Sequence, residues 1–268
     1  MKIIILAAGQ GRRLLPLTES APKALLDIHG RSLLAVQVEA FRACGAKEIV
    51  VLTGFRSQSI DRELGRLGQI FPEIQFREIY NPFFNVADNL ASCWMARHEM
   101  EGDFILVNGD NLFRHDVVKR LLASPAAPIT LAIDRKPVYD EDDMKVMLDG
   151  TRLTEIGKRL PLDTVDAESI GMILFRGKGP GLFRQALEKT MLEPDALRRW
   201  YLSVIGMLAR QVDVQTASIE GLEWCEVDVP LDLQHARGMV ASWAGADPSR
   251  KNDLPEDTIR LVSKSDSP

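Results

Sequence analysis

Apolar runs alternate with stretches of helical spacing through the first half of the chain. The run KIIIL at 2–6 is continuously apolar, which predicts a strand buried on both faces of a sheet. Residues 32–43 have helical spacing, with Ser32 as the predicted N-cap and Gly45 just beyond the predicted end. The alternation favours right-handed crossovers and a mostly parallel sheet. The other elements predicted here are strands at 48–55, 73–80 and 103–111 and helices at 57–67, 89–100 and 115–122.

The pattern changes after residue 128. Short predicted strands joined by turns come first, and a longer predicted strand follows at 168–176. The pattern therefore predicts one α/β domain over residues 1–243, with a smaller β-rich region in its second half, and a polar C-terminal tail over 244–268. The remaining predicted elements are short strands within 129–135, 144–150 and 151–157, helices at 178–192 and 196–209, late strands within 212–218 and 223–229, and a last helix over 230–243.

The composition of the chain argues against several classes of protein. The 268 residues are 46% hydrophobic and 26% charged, as in an ordinary globular protein, and the net charge of −5 argues against binding a nucleic acid polymer. No apolar stretch reaches the ~18 residues of a membrane span, and the apolar residues at the N-terminus are too few for a signal peptide. We therefore expect a cytoplasmic protein without membrane insertion. The three cysteines lie far apart, and we interpret them as small core residues.

A cationic, glycine-bearing loop follows the first strand in LAAGQGRRLLPLTESAPKAL, residues 6–25. Gly9 and Gly11 allow backbone N–H groups to approach an anion closely. Arg12, Arg13 and Lys23 supply positive charge suited to phosphate groups. The spacing satisfies neither the dinucleotide fingerprint nor the P-loop motif. The loop therefore predicts a different kind of triphosphate site.

This loop resembles the signature of the sugar-phosphate nucleotidyltransferase superfamily, G-x-G-x-R-L-x-P-L-T followed by P-K. The resemblance implies a Rossmann-like open sheet flanked by helices, with an acceptor-binding part in the second half. It also implies transfer of NMP from an NTP to a phosphorylated acceptor, with release of pyrophosphate. Arg13 and Lys23 are the implied catalytic residues. The implied nucleotide contacts are Leu6, Ala8, Gly9, Gly11, Arg12, Arg13 and Lys23.

Two aspartates are candidate metal ligands. Asp110 follows a predicted strand at its carboxyl end, where open α/β sheets bind ligands, and Asp228 leaves a late strand just before a helix. Two carboxylates, with phosphate oxygens and waters, can hold Mg²⁺. The family has an Asp at each place, so the resemblance implies Mg²⁺ as cofactor. The alternatives are a turn or N-cap carboxylate for Asp110 and a helix N-cap ahead of Pro230 for Asp228.

The segment 81–97 resembles the branch that contains phosphocholine cytidylyltransferases and their phosphonate and inositol-phosphate relatives. The resemblance implies that Asn89 and Ser92 lie beside the nucleotide. In the second half, Lys145 is a candidate for the acceptor phosphate, and Glu168 for a cationic acceptor head group. The alternatives are a solvated position on a short half-exposed strand for Lys145 and a residue that merely begins its strand for Glu168.

The sequence thus predicts a Mg²⁺-dependent enzyme that transfers CMP from CTP to a small acceptor of the phosphocholine or 2-aminoethylphosphonate type. CTP or another NTP and the acceptor are the expected partners, and assembly into a homo-oligomer stays open. One alternative is a hexose-1-phosphate nucleotidyltransferase that uses UTP, dTTP or GTP. An alternative of another class is a non-catalytic regulatory subunit that senses nucleotides.

Overall fold

The computed structural model describes residues 1–246. Within this range the helices that carry the packing are α1 (Leu33–Arg42), α2 (Ser57–Ile70), α3 (Asn89–Met95), α4 (His115–Leu122), α5 (Gly179–Thr190), α6 (Tyr201–Ala209) and α7 (Pro230–Ala246). The strands are β1 (Lys2–Leu6), β2 (Asp27–Ile28), β3 (Arg31–Ser32), β4 (Glu48–Thr53), β5 (Gln75–Tyr80), β6 (Phe104–Asn108), β7 (Asn111–Phe113), β8 (Ile129–Asp134), β9 (Lys145–Asp149), β10 (Arg152–Gly157), β11 (Ala167–Phe175), β12 (Val214–Ser218) and β13 (Trp224–Glu226).

Nine strands form one sheet in the order β5-β4-β1-β6-β11-β8-β12-β10-β9. The strands of the first half, β5, β4, β1 and β6, are parallel, as their alternation with helices predicts. The second half is mixed, because β11 runs antiparallel to both β6 and β8 while β12 is parallel to β8. The α/β class with a β-rich second half is therefore confirmed.

The β-rich half closes on itself. The start of β11 pairs with β9, opposite the pairing of β9 with β10, so β11, β8, β12, β10 and β9 follow one another in a ring. A bulge around Gly171, whose φ is 67°, separates the two ends of β11. The bulge lets one end of β11 extend the main sheet while the other end, with Glu168, lines the ring.

Helices cover both faces of the sheet, which is why the central strands are continuously apolar. On one face Ile3 and Ile5 pack with α1, α2 and α4, and on the other Ile4 packs with α3, α5 and α6. A third cluster joins Leu14 of the loop after β1 to Val227 and to α7. This third cluster holds the loop after β1 against the core. None of the helices in residues 1–246 is long and apolar enough to cross a bilayer.

Several boundaries differ from the predicted ones. The predicted strand at 103–111 ends at Asn108, because the backbone turns tightly at Gly109, where a Cβ would lie 2.7 Å from the Leu6 carbonyl oxygen. The predicted helix at 89–100 ends at Met95, and the one at 196–209 begins at Tyr201 after a single turn of 3₁₀ helix. The prediction missed the short pair β2–β3. Apart from residues 244–246 of α7, the predicted tail lies outside the described residues.

Candidate active site

The loop after β1, residues 7–26, is called the first loop below. Two 3₁₀ turns, Arg12–Leu14 and Lys23–Leu25, order it. Gly11 has φ 75°, and a Cβ there would lie 3.0 Å from the Cβ of Lys23, so only glycine fits. The buried hydroxyl of Thr18 donates a hydrogen bond to the Gly11 carbonyl at 2.8 Å. The first loop is therefore a rigid support for its cations.

Lys23 joins the two predicted metal ligands. Its Nζ donates to Asp110 Oδ2 at 3.0 Å and also to Asp228 Oδ1. The side chain is only 12% exposed, and burial by itself would lower the pKa of Lys23, but Asp110 and Asp228 together raise that pKa above its usual value. The structure thus brings Lys23, Asp110 and Asp228 to one place and keeps the ammonium charged.

The β7–β13 pair explains why the two aspartates meet. Asn111 of β7 pairs with Glu226 of β13, and the Val227 N–H donates to the Asp110 carbonyl at 3.0 Å. Asp110 precedes one strand of this pair and Asp228 follows the other, so the antiparallel pairing places them side by side.

Asp232 caps α7. Its Oδ2 accepts hydrogen bonds from the backbone N–H groups of Asp228 and Val229, each at 2.8 Å. Asp232 is the third residue of α7 and bonds back to the residues before the helix, as the inner member of a capping box does, so the Asp228 carboxylate has no capping bond to α7 within the described residues. The Asp228 carboxylate is left for Lys23 and Arg13.

Arg13 is held by carboxylates from two distant segments. Its Nη1 donates to Asp142 Oδ2 and its Nη2 to Asp228 Oδ2, both at 2.6 Å. The neighbouring Arg12 points elsewhere and donates to Asn85 Oδ1 at 2.6 Å. The two arginines of the first loop therefore point in different directions, Arg12 toward Asn85 and Arg13 toward Asp142 and Asp228.

The residues present fit a Mg²⁺ site. Asp110 Oδ1 is buried and has no hydrogen-bond partner among the described residues, so one carboxylate oxygen is left for a cation. Within residues 1–246 no three His, Cys, Asp or Glu side chains are arranged to hold a metal by themselves. One or two carboxylates with substrate phosphates and waters are the usual ligands of Mg²⁺. Asp110 and Asp228 meet that requirement.

Glu226 adds a third carboxylate that the sequence analysis did not single out. Part of the Glu226 side chain is exposed to solvent, but the surrounding protein atoms desolvate its carboxyl group, which raises its pKa. The negative charges of Asp110 and Asp228 also raise that pKa. Together they raise the pKa of Glu226 to about 8. Its signal was the spacing in Glu226-Val-Asp228, since residues two apart on an extended chain face the same side.

The predicted acceptor residues lie on the ring of strands, where Glu168 pairs with Lys145. The Glu168 carboxylate lies 3.0 Å from the Nζ of Lys136, which also contacts Asp143 at 2.8 Å. Burial of the carboxyl group, reinforced by Asp143, raises the pKa of Glu168 to about 7, although Lys136 opposes the shift. Lys145 is buried, and its Nζ donates to backbone carbonyls of Asp140, Asp143 and Lys158.

A second lysine of this region contacts an acidic residue and an aromatic ring. Lys158 Nζ lies 3.3 Å from Asp142 Oδ1 and 4.9 Å from the centre of the Trp200 ring. Asp142 therefore connects Lys158 to Arg13 of the first loop. Lys136 and Lys158 were not singled out from the sequence, because each is an isolated cation whose partner lies in another segment.

The segment 81–92 lies on the other side of the first loop. Asn89 Oδ1 accepts from the Tyr201 N–H at 3.0 Å, and the Ser92 hydroxyl is buried and accepts from Asn81 Nδ2 at 3.0 Å. Both predicted nucleotide contacts thus make hydrogen bonds within the protein. Beside them is a pocket of about 410 Å³, lined by Gln10, Arg12, Phe84, Asn85, Val86, Ala87, Asp88, Leu197 and Arg198.

The other predicted nucleotide contacts line the start of the first loop. Leu6 ends β1, and its carbonyl accepts from the Gly109 N–H at 2.9 Å, while the Ala8 carbonyl accepts from the Phe55 N–H at 3.0 Å. A Cβ built on Gly9 would meet nothing within 4 Å, so the backbone there borders open space. The space over Gly9 is where an anion can approach the backbone.

Comparison with protein families places the chain in a known class of transferases. The model of the nucleotidyl transferase family matches residues 2–143. Because the match covers more than half of the chain, the chain belongs to the nucleotidyl transferase family. The family predicted from the first loop is thus confirmed.

Two named relatives are similar to this chain over most of its length. The bifunctional IPC transferase and DIPP synthase of Rubrobacter xylanophilus is 30% identical over 246 residues, which cover 90% of this chain and 52% of that protein. CTP:phosphoglutamine cytidylyltransferase of Campylobacter jejuni is 24% identical over 256 residues, covering 87% of this chain and 98% of that protein. The chain spans about half the length of the first curated relatives it matches.

A solved structure shows the same fold. The CTP:phosphocholine cytidylyltransferase of Streptococcus pneumoniae superposes with a TM-score of 0.70 at 20% identity, covering 89% of this chain and 98% of that one. Cytidylyltransferases are thus among the relatives, as the segment 81–97 predicts.

Proposed function

We propose that the protein is a Mg²⁺-dependent cytidylyltransferase that transfers CMP from CTP to a small phosphorylated or phosphonylated acceptor with a cationic group, releasing pyrophosphate. The observation that carries the proposal is Lys23, which holds Asp110 and Asp228 together beside a glycine-bearing loop. The relatives named for CTP support the choice of nucleotide.

The proposed reaction needs no protein nucleophile. An acceptor oxygen that is already anionic attacks the α-phosphorus in line, and pyrophosphate leaves. Arg13 and Lys23 neutralise the charge that builds on the phosphates, and the open backbone at Gly9 lets N–H groups approach them. Asp110 and Asp228 would hold Mg²⁺, which supplies further charge neutralisation and links the nucleotide to the protein. Leu6, Ala8, Gly11, Arg12, Asn89 and Ser92 complete the proposed nucleotide side, through direct contacts or by shaping its walls.

The acceptor side is proposed to lie between the ring of strands and Lys158. Lys158 is suited to the acceptor phosphate or phosphonate, because it lies close to Arg13: the Asp142 carboxylate contacts both cations. Lys145 serves the same side by holding residues 140–143 through their carbonyls.

Charge favours a cationic acceptor. Glu168, Asp143 and Glu226 place three carboxyl groups in this region, and Lys136 is the cation that contacts two of them. An acceptor ammonium would favour the ionised forms of Glu168 and Glu226, whose pKa values are about 7 and about 8 without it, whereas sugar hydroxyls bring no charge that does so.

Pyrophosphate release tests the proposal. The purified protein is incubated with Mg²⁺, one of CTP, UTP, dTTP or GTP, and one of phosphocholine, 2-aminoethylphosphonate, inositol 1-phosphate or glucose 1-phosphate. We expect the fastest release with CTP and a cationic acceptor. Faster release with glucose 1-phosphate would indicate the hexose-1-phosphate alternative. No release with any pair would favour the nucleotide-sensing subunit.

The metal role has its own test in Asp110→Asn and Asp228→Asn. Each should abolish activity in Mg²⁺ without weakening CTP binding in EDTA, because an aspartate ligand serves the cation and not the nucleotide. Asp116→Asn is the control, because among the described residues Asp116, at the start of α4, contacts only Arg114, His115 and Lys119 and none of the site residues. If CTP affinity in EDTA fell as far as activity, the aspartates would contact the nucleotide instead.

A further inference from the structure

Asp142 occupies a place between the two halves of the site. Its Oδ2 accepts from Arg13 Nη1 at 2.6 Å, and its Oδ1 lies 3.3 Å from Lys158 Nζ. Arg13 comes from the first loop and Lys158 follows β10, so one exposed carboxylate spans the nucleotide side and the acceptor side. Lys158 and Arg13 both lower the pKa of Asp142, so the carboxylate stays ionised at neutral pH.

The segment that carries Asp142, residues 140–143, is held in shape and is called the acidic loop below. Asp140 Oδ1 accepts from the backbone N–H groups of Asp142 at 2.8 Å and Asp143 at 3.1 Å. Lys145 Nζ donates to the carbonyls of Asp140 and Asp143 at the two ends of the loop. The acidic loop is therefore a preformed support that presents the Asp142 carboxylate to Arg13 and Lys158.

Both terminal nitrogens of Arg13 are already engaged. Nη2 donates to Asp228, and Nη1 donates to Asp142. Asp228 is 26% exposed and also bonded to Lys23, whereas Asp142 is 64% exposed. A phosphate group that takes a nitrogen of Arg13 displaces Asp142 more easily than Asp228, because an exposed ion pair contributes little stability.

We propose that Asp142 is an internal competitor for the phosphate groups of both substrates, at Arg13 for the nucleotide and at Lys158 for the acceptor. This inference rests on the proposed function. Each phosphate group must displace Asp142 before it can bind, and this requirement lowers its affinity. Because both ion pairs are exposed, the competition lowers each affinity only modestly.

Asp142→Asn tests the inference, with Glu141→Gln as the matched control. Both substitutions remove one negative charge from the acidic loop, but Glu141 is exposed and contacts neither Arg13 nor Lys158. We expect Asp142→Asn to tighten the binding of CTP in EDTA and of inorganic phosphate by about two- to fivefold, the range that exposed ion pairs imply. Glu141→Gln should leave both dissociation constants unchanged. Structural damage would weaken binding rather than tighten it.

Salt provides a second measurement. Because the competing ion pairs are exposed, the ratio of the two CTP dissociation constants should approach one at about 0.5 M NaCl. Unchanged or weaker CTP binding by Asp142→Asn, or equal tightening by Glu141→Gln, would overturn the inference. Tightening for CTP without tightening for phosphate would overturn its Lys158 half. If the wild type binds CTP and Asp142→Asn does not differ, only this inference fails; if the wild type binds no NTP, the proposed function fails with it.

Discussion

At the scale of single residues, the site is built from cations that are each shared by two carboxylates. Lys23 lies between Asp110 and Asp228, and Arg13 lies between Asp142 and Asp228. Lys23→Ala and Arg13→Ala should each lower turnover at least tenfold, because a lost cation beside the phosphates costs on the order of a few kcal/mol of transition-state stabilisation. Steady-state kinetics measures the effect, and circular dichroism checks the fold. Near-normal turnover in a folded variant would remove that residue from the catalytic site.

Glu168 makes a separate prediction about pH. Its pKa is about 7 in the folded protein, against an ordinary value of 4.5. Between these values the folded protein holds a proton that the unfolded chain has released, so the contribution of Glu168 to the free energy of unfolding is full below pH 4.5 and is lost as the pH rises through 7. Glu168→Gln removes this dependence. Denaturant titrations of both proteins at about pH 5 and pH 7.5 measure it.

We expect the wild type to lose free energy of unfolding relative to Glu168→Gln between those two pH values. Glu141→Gln is the control and should follow the wild type, since Glu141 is exposed. A difference between wild type and Glu168→Gln that is the same at both pH values would contradict the prediction.

At the scale of elements, the start of α7 controls where Asp228 points. The Asp232 carboxylate accepts from the N–H groups of Asp228 and Val229, so the turn before the helix is fixed. Asp232→Ala should lower the free energy of unfolding by roughly 1–2 kcal/mol, because two backbone N–H groups before α7 lose their charged acceptor. It should also lower activity, because Asp228 would no longer be held beside Lys23. Asp232→Asn keeps one acceptor oxygen and should lose less of both. Equal losses in the two variants would argue against a capping role.

At the scale of the whole molecule, the two halves share one sheet. Residues 2–143 match the family model, yet β6 of that part pairs with β11 of the second half, and α5 and α6 cover one face of the shared sheet. A fragment of residues 1–143 should therefore not fold alone, because it leaves the edge of β6 unpaired and the face around Ile4 and Leu106 exposed. Residues 1–246 should unfold in one cooperative transition, followed by circular dichroism and tryptophan fluorescence. A cooperative transition in the fragment would contradict this.

The sequence by itself determined most of the elements and the cationic loop. The continuous apolar run at 2–6 is the buried strand that it predicts, and Ser32 accepts the predicted capping hydrogen bond from Ala35 at 3.0 Å. The motif around Gly11, Arg13 and Lys23 is local, so its spacing carries the chemistry. The family could be predicted for the same reason. The acceptor, the cytoplasmic location and the oligomeric state stay predictions.

Only the tertiary structure decided which side chains meet. Lys23, Asp110 and Asp228 are joined by the β7–β13 pairing, which no local pattern reveals, because β7 and β13 are three residues each and more than a hundred positions apart. Lys136 and Lys158 likewise meet their partners Glu168 and Asp142 across different segments of the β-rich half. The hydrophobic pattern of a segment predicts which of its faces are buried. Contacts between charged side chains of different segments depend instead on strand order and register. The physical reason is that the hydrophobic pattern of a segment is set by its own residues, whereas a binding site depends on contacts between segments that are distant in the sequence.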